Sequence, residues 1–278
     1  SGRRALGGGE VSRGDPEAAL ELHRRSQAIR KKDLPANSPL IALGMYHVAV
    51  CRFYLGNVGD ARKELQGALA ALDRAKPDDP HLRIWILNDL AMYNVAEGQR
   101  GSPDMRKALQ LRESTFPPGH TERILGANNL GWCLLTEGDP AGAQPWLERA
   151  LEEAERVLGE DHTTTAMALH SLGELERRNG KLTRARTLLE RALAIQERAV
   201  GPDAPSTVEP LVSLALVDDA EHHTVEAFGR LERAIRIFER RFGPESPLLI
   251  NVLESYEEVL RRAGRAADAA AVRARRES

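Results

Sequence analysis

The sequence has few cysteines and few aromatic residues. Only Cys51 and Cys133 occur, and they form neither a Cys-x-x-Cys pair nor a disulfide framework. Aromatic residues make up 4% of the chain although hydrophobic residues reach 42%, which favours a helical core of alanine, leucine and glycine over a β-sandwich or barrel. We expect the two thiols to be small, buried and unpaired, as in a reducing compartment, and this predicts a cytoplasmic protein.

Long apolar runs and an excess of one charge are also missing. No stretch approaches the roughly 18–20 consecutive apolar residues that a membrane-spanning helix needs. The 39 basic and 41 acidic residues give a net charge of −2, and they leave no basic stripe of the kind that binds phosphates. We therefore predict neither a membrane nor a nucleic-acid partner.

The chain does contain small residues at regularly spaced positions along its whole length. The small positions are Gly7, Ala49, Ala91, Gly131, Gly173 and Ala215, with Glu257 at the last equivalent, and they are 42 residues apart except for one spacing of 40. Seven residues later come the turn residues Gly14, Gly56, Gly98, Gly138, Gly180, His222 and Gly264. A period of this length indicates an array of stacked supersecondary units.

The clearest copy, residues 159–208, shows how one unit is built. Leucines between residues 169 and 175 lie on one face of a first helix, helix A. Gly180 ends that helix, because glycine adopts the left-handed conformation without steric cost. An apolar stripe over residues 185–195 then predicts a second helix, helix B.

Residues just before helix A are expected to cap it. Ser206 and Thr207 follow the Gly-Pro-Asp-Ala-Pro segment that ends the preceding helix B, and hydroxyl residues are favoured N-caps. His120 and His162 lie 42 residues apart at the same repeat position, so we expect them to cap or pack.

This combination resembles the tetratricopeptide repeat (TPR): a small residue where helices A and B cross, glycine at the turn, and alanine, a large apolar residue and alanine in helix B. The usual period is about 34 residues. The longer form here, with LERALAIQER and GPDAP within residues 189–205, is similar to repeats of kinesin light chains and of bacterial multidomain signalling proteins. The resemblance implies an all-α, right-handed α-solenoid of about 6.5 repeats.

We predict a single array over residues 1–278 with fourteen helices, counting an incomplete first one. The repeats are placed at about 1–36 (incomplete), 37–78, 79–119, 120–162, 163–204, 205–245 and 246–278. At residues 5–7 the pattern matches the middle of a helix A without its first half, so either the repeat frays or the sequence was cut from a longer protein, and we expect the second. In residues 266–276 alanines form a stripe on one side of the predicted helix and arginines lie on the other, as expected of a capping helix.

In TPR arrays the A helices line the concave face, so the resemblance implies a ligand groove on helix A. The groove positions predicted from helical phase are Tyr46, Phe53, Trp85, Asn88, Met92, Asn128, Trp132, Leu135, His170, Glu174, Arg177 and Arg178. Aromatic residues there would anchor a ligand, the asparagines would bind its backbone, and the two arginines would pair with its acidic residues. The alternative is that the aromatic residues fill the core between repeats and contact no partner.

We predict a non-enzymatic protein–protein interaction scaffold that binds a peptide or protein segment in this groove. The alternative is the sensor or regulatory arm of a larger bacterial signalling protein, such as a Ser/Thr kinase or a transcription regulator. No pattern calls for catalysis, a metal or a cofactor; the adjacent His222 and His223 lie at a predicted turn without a nearby cysteine. Self-association through the terminal repeats is left open.

Overall fold

The computed structural model describes residues 16–246 and 249–277 of the chain. Within these residues the structure is all-α, with a short 3-10 turn at Pro205–Thr207 and no strand. The chain divides into two compact units, residues 1–146 and residues 147–278. The predicted partial repeat around Gly7 lies outside the described residues.

From residue 16 onward, where the structure describes it, the first unit contains six complete helices. They are α1 (Pro16–Asp33), α2 (Pro39–Tyr54), α3 (Val58–Arg74), α4 (Pro80–Ala96), α5 (Ser102–Thr115) and α6 (Thr121–Thr136). Helix α7 (Pro140–Leu158) contains the boundary between the units. Helices α2, α4 and α6 are the A helices of this unit, and α1, α3 and α5 are B helices.

The second unit continues the same alternation. Its further helices are α8 (Thr163–Arg178), α9 (Leu182–Val200), α10 (Val208–Ala220), α11 (Thr224–Phe242), α12 (Ile250–Arg262) and α13 (Ala266–Glu277). Helices α8, α10 and α12 are A helices, whereas α7, α9, α11 and α13 are B helices. The predicted all-α solenoid class is confirmed, and thirteen of the fourteen predicted helices fall within the described residues.

Two turn residues show how each A helix ends. Gly180 has φ of +75°, and the bonds from its N–H to Arg177 O and from Lys181 N–H to Glu176 O close a Schellman motif. His222 occupies the same position with φ of +64°. It is the non-glycine exception among the described A–B turns, which places this histidine pair in a backbone turn as expected.

The predicted histidine caps are confirmed. His120 Nδ1 accepts a hydrogen bond from Glu122 N at 3.2 Å, and His162 Nδ1 accepts one from Thr164 N at 3.0 Å. Thr207 lies at the N-cap position of α10, as predicted, but its side chain makes no capping hydrogen bond. Its hydroxyl donates backwards to Ala204 O at 2.7 Å, because residues 205–207 form a 3-10 turn.

The small residues let the two helices of a hairpin approach closely. A Cβ at Gly173 would lie 2.8 Å from Leu189 Cγ, so α8 and α9 are in contact at this point. At the last copy, Glu257 stands where a small residue is usual. Its carboxylate binds Arg273 Nε at 2.8 Å and Arg276 Nη1 at 3.2 Å, so ion pairs attach the mostly exposed α13.

The repeat that is two residues short contains a close backbone contact. A Cβ at Gly101 would lie 2.2 Å from Ala91 O. Glu137, at the end of α6, accepts hydrogen bonds of 2.7 Å from the N–H groups of Gly101 and Ser102. Burial opposes the charge of Glu137, but these bonds hold its pKa below the ordinary value. A carboxylate thus caps the shortened helix α5.

Both cysteines are free and buried, as predicted. Burial raises the pKa of the Cys51 thiol and raises that of Cys133 to about 12. Among the described helices, none is long and apolar enough to cross a bilayer.

Candidate binding face on the A helices

The twelve predicted groove residues differ in exposure. Six are buried, namely Tyr46, Asn88, Asn128, Leu135, His170 and Glu174; five are half-buried, namely Phe53, Trp85, Met92, Trp132 and Arg177; and Arg178 is exposed. The first eight in chain order belong to the first unit and the last four to the second. Their participation in ligand binding stays a prediction, and each unit is described separately.

In the first unit, a buried hydrogen-bonded chain joins α2 to α4. Tyr46 Oη donates to Asp89 Oδ2 at 3.0 Å, and Asn88 Nδ2 lies 3.4 Å from Asp89 Oδ1. All three residues are buried. Burial raises the pKa of Asp89 to about 6, even though both hydrogen bonds favour its charged form.

The same chain continues to α5 and α6 through Asn88. Its Oδ1 accepts a hydrogen bond from Asn129 Nδ2 at 2.8 Å and lies 3.4 Å from Arg112 Nη2. Arg112 Nε in turn lies 3.3 Å from Glu122 Oε2. These six residues, Tyr46, Asn88, Asp89, Arg112, Glu122 and Asn129, are here called the polar network. It connects four helices of one unit.

Arg112 is the cation of the polar network and is 4% exposed. Burial lowers its pKa, while the charges of Glu122 and Asp89 oppose that effect. Within the described part of the chain, Arg112 Nη1 and Asn128 Oδ1 are buried atoms without a hydrogen-bond partner. Such atoms cost about 1–3 kcal/mol each, so the α6 end of this face is incompletely satisfied.

Aromatic side chains lie on both sides of the polar network. Phe53 stacks on Tyr93 with ring centroids 4.2 Å apart and planes inclined by 4°. Trp85 lies 6.3 Å from Tyr46, centroid to centroid. Phe53 and Trp85 are half-buried and contribute to the core around α2, α3 and α4. The groove and core interpretations of these aromatic residues therefore overlap in space.

A small cleft opens beside Trp85, near the N-terminal ends of α4 and α6. Its volume is about 200 Å³, and its lining consists of His81, Ile84, Trp85, Phe116, His120 and Glu122. We call it the aromatic cleft. Phe116 stacks against His120 at 4.5 Å with an interplanar angle of 19°, and meets His81 edge-on at 5.3 Å.

The second unit carries charge pairs in place of the amide and aromatic groups. Glu174 Oε1 accepts from Arg177 Nη2 at 2.7 Å and from Arg178 Nε at 2.8 Å, and Arg177 Nε donates to Oε2 at 2.8 Å. Burial opposes the charge of Glu174, but the two guanidinium groups hold its pKa below the ordinary value. Both predicted anion-binding arginines are thus already paired within their own helix.

Other polar groups in this unit are also paired. His170 Nε2 lies 3.1 Å from Ser213 Oγ, which links α8 to α10. Arg262 Nη1 lies 3.0 Å from Asp219 Oδ2 and links α12 to α10. Among the residues that the structure describes, no group of three or more His, Cys, Asp or Glu side chains is arranged to hold a metal ion.

Sequence reasoning missed four members of the polar network: Asp89, Arg112, Glu122 and Asn129. Asp89 gave a signal, because it is a single carboxylate inside the apolar run of α4. Arg112 gave none, since arginines recur along every B helix and only packing shows that this one is buried.

The sequence pattern of the tetratricopeptide repeat family matches residues 136–197 and 164–240. Among curated proteins, none matches the chain.

Solved structures with the same fold cover most of the chain. The apo form of RapI is 13% identical, with a TM-score of 0.71 and coverage of 98% of this chain and 93% of that one. NprR in complex with its cognate peptide NprX is 18% identical, with a TM-score of 0.66 and coverage of 92% and 72%. The TPR-like repeats of a putative kinesin light chain from Podosopora anserina are 20% identical, with a TM-score of 0.52 and coverage of 72% and 95%. At these identities the likeness shows the fold alone.

Proposed function

Because the chain is a tetratricopeptide repeat protein, we propose that it is a non-enzymatic interaction scaffold that binds an extended peptide or protein segment on the A helices of its first unit. One observation carries the proposal. Half-buried aromatic and thioether side chains, those of Phe53, Trp85, Met92 and Trp132, lie on the same helices as a buried polar network.

The polar network gives this face a rigid support. Its hydrogen bonds join α2, α4, α5 and α6, so the A helices are held in one relative position before a ligand arrives. A surface organised in advance loses little conformational entropy on binding. Partly covered tryptophans beside it still have area to bury, and such residues commonly dominate binding energy.

The comparison with NprR supports a peptide as the ligand class. That protein was solved with its cognate peptide NprX, and its fold covers 92% of this chain. The groove residues of the second unit take a smaller part in our proposal. Arg177 and Arg178 would have to exchange Glu174 for a ligand carboxylate, and the gain from such an exchange is small.

The test begins with peptides selected on the immobilised chain from a random dodecapeptide display library. Affinities of the selected peptides are then measured by calorimetry for Trp85→Ala and Trp132→Ala. We expect each variant to weaken binding at least about tenfold, because truncating a tryptophan anchor typically costs about 2 kcal/mol or more. Arg177→Glu should change affinity by less.

Trp146→Ala is the matched control, because Trp146 is also half-buried but lies on the B helix α7. Its affinity should equal that of the unchanged chain, and circular dichroism should confirm that all variants remain helical. Equal binding by Trp85→Ala, Trp132→Ala and Trp146→Ala would show that the ligand does not use this face.

A further inference from the structure

The aromatic cleft combines ring walls with a carboxylate. Four of its six lining residues are aromatic or imidazole rings, namely His81, Trp85, Phe116 and His120. Its volume of about 200 Å³ is below the 300–1,000 Å³ typical of small-molecule pockets. It therefore suits one long side chain better than a cofactor.

The imidazole of His120 is fixed within this wall. Its Nδ1 accepts the hydrogen bond of Glu122 N–H and so caps α6, while its ring stacks on Phe116. One face of Phe116 is thereby covered by His120, and its other neighbour, His81, meets it edge-on at 69°. The rings form a preformed corner and do not depend on a ligand for their arrangement.

Glu122 supplies the charge of the cleft. Its side chain is 30% exposed, and Oε2 contacts Arg112 Nε. Within the described part of the chain, no hydrogen bond or ion pair to Oε1 is found. A partly exposed carboxylate oxygen thus lies in a cleft that is otherwise walled by rings and Ile84.

The polar network provides only one cation, Arg112, near the carboxylate of Glu122. A single guanidinium, Arg112, is shared electrostatically between Glu122 and Asp89. The nearby cation of α4, Arg83, is engaged by Asp73 at 2.7 Å and Asp78 at 3.0 Å, and it lines a different cleft. Arg112 is thus a single positive charge between two carboxyl groups.

We propose that the aromatic cleft binds the cationic side chain of a lysine or arginine in the partner segment, with Glu122 as the counter-ion. Rings within about 6 Å of a cation attract it through their quadrupole, and a carboxylate adds a charge-assisted hydrogen bond. The inference rests on the proposed function, since it assigns the cation to a bound protein segment.

The other side-chain classes fit less well. A carboxylate would meet the charge of Glu122, and none of the six residues that line the cleft is a lysine or arginine that could balance it. An apolar side chain would remove water from Glu122 Oε1 and give that oxygen no partner, which is costly. A cation satisfies the oxygen and contacts the rings at the same time.

The test uses three small probes that do not depend on knowing the natural partner: acetylated, amidated tripeptides with lysine, norleucine or glutamate between two alanines. Binding to the full chain is followed by the ¹⁵N–¹H signal of the Trp85 indole, assigned with Trp85→Phe. We expect the lysine probe to bind at least about tenfold more tightly than the norleucine probe. The glutamate probe should bind most weakly.

Glu122→Gln should reduce binding of the lysine probe about tenfold while leaving that of the norleucine probe unchanged. Glutamine keeps an oxygen for Arg112 Nε, so the fold should persist, which circular dichroism checks. Phe116→Leu, which keeps an apolar wall, should also weaken the lysine probe. Glu21→Gln is the control, because Glu21 belongs to an exposed pair on α1.

Equal binding of lysine and norleucine, or an unchanged lysine affinity in Glu122→Gln, would overturn the cation site. Either result leaves the scaffold proposal intact if selected peptides still need Trp85 and Trp132. Conversely, lysine-specific binding to the cleft in a chain that selects no peptide would support the cleft and contradict the scaffold proposal.

Discussion

The A helices of both units are joined by polar bonds at equivalent repeat positions, but the units differ at a neighbouring groove position. In the first unit Tyr46 bonds Asp89 and Asn129 bonds Asn88, and in the second unit the equivalent bond joins His170 to Ser213. Where the first unit has Met92 and Trp132, the second has Glu174, which is paired with Arg177 and Arg178 of its own helix. Bonds between helices depend on the packing of the whole unit, whereas pairs within a helix require only that helix.

The pairing of one glutamate with two arginines of its own helix occurs twice in the second unit. The pattern Glu-x-x-Arg-Arg stands at residues 174–178 and again at 258–262, two repeats later, with the same pairing. The two copies differ in burial, since the Glu174 side chain is 6% exposed and that of Glu258 is 33% exposed. The chain thus contains an internal control for what burial adds to an ion pair.

The largest difference between the units is expected when one arginine is removed from each. Arg112→Met should lower the free energy of unfolding by about 3 kcal/mol, because it breaks a buried charged network and leaves Asp89 without its cation. Arg178→Leu should cost less than about 1 kcal/mol, since Arg177 still binds Glu174. Urea unfolding followed by circular dichroism measures both. Similar losses would contradict the distinction between the units.

A second difference should appear in the response to pH. The pKa of Asp89 is raised from 3.8 to about 6, so its contribution to stability is complete below about pH 4 and is lost as pH rises through 6. Relative to Asp89→Asn, the unchanged chain should lose about 2–3 kcal/mol between pH 4 and pH 7. Parallel urea titrations of the two proteins at several pH values measure this. A constant difference would mean that Asp89 titrates normally.

The smallest effect concerns the two Glu-x-x-Arg-Arg copies. Glu174→Gln should cost about 1.5–2 kcal/mol at pH 7, as expected for buried charge-assisted hydrogen bonds. Glu258→Gln should cost less than about 1 kcal/mol, because water already screens its pairs. The pKa of Glu174 is lowered, so its contribution should be present above its unfolded value and fall as acid protonates it, opposite in sign to Asp89. Equal costs for both variants would show that burial adds nothing here.

Much of the fold could be predicted because the residues that set the helix ends and the helix crossings act locally within each repeat. The small residues, the turn glycines and the histidine caps His120 and His162 act within a few residues of their own position. Thr207 does occupy the N-cap position of α10, but its hydroxyl bonds backwards to Ala204 O instead of capping the helix, because residues 205–207 form a 3-10 turn. Local chemistry alone did not distinguish these two bonding patterns.

The candidate face was only partly predictable, because it depends on packing between helices. Helical phase selected Tyr46, Asn88 and Asn128, but whether a side chain on that phase meets solvent or a neighbouring helix depends on how the A helices pack. Asp89 and Arg112 became part of the site because α4, α5 and α6 bring distant residues together. None of those pairings has a fixed spacing that could be read along the chain.

The sequence by itself determined the repeat period, the helix–turn–helix unit and the positions of the turns, since these follow from spacing, glycine conformation and apolar periodicity. Only the tertiary structure decided which polar residues are buried together, how Arg112 is shared between Glu122 and Asp89, and where the aromatic cleft opens. The physical reason is that burial and the electrostatics it controls depend on contacts between helices, and such contacts join residues far apart in the chain.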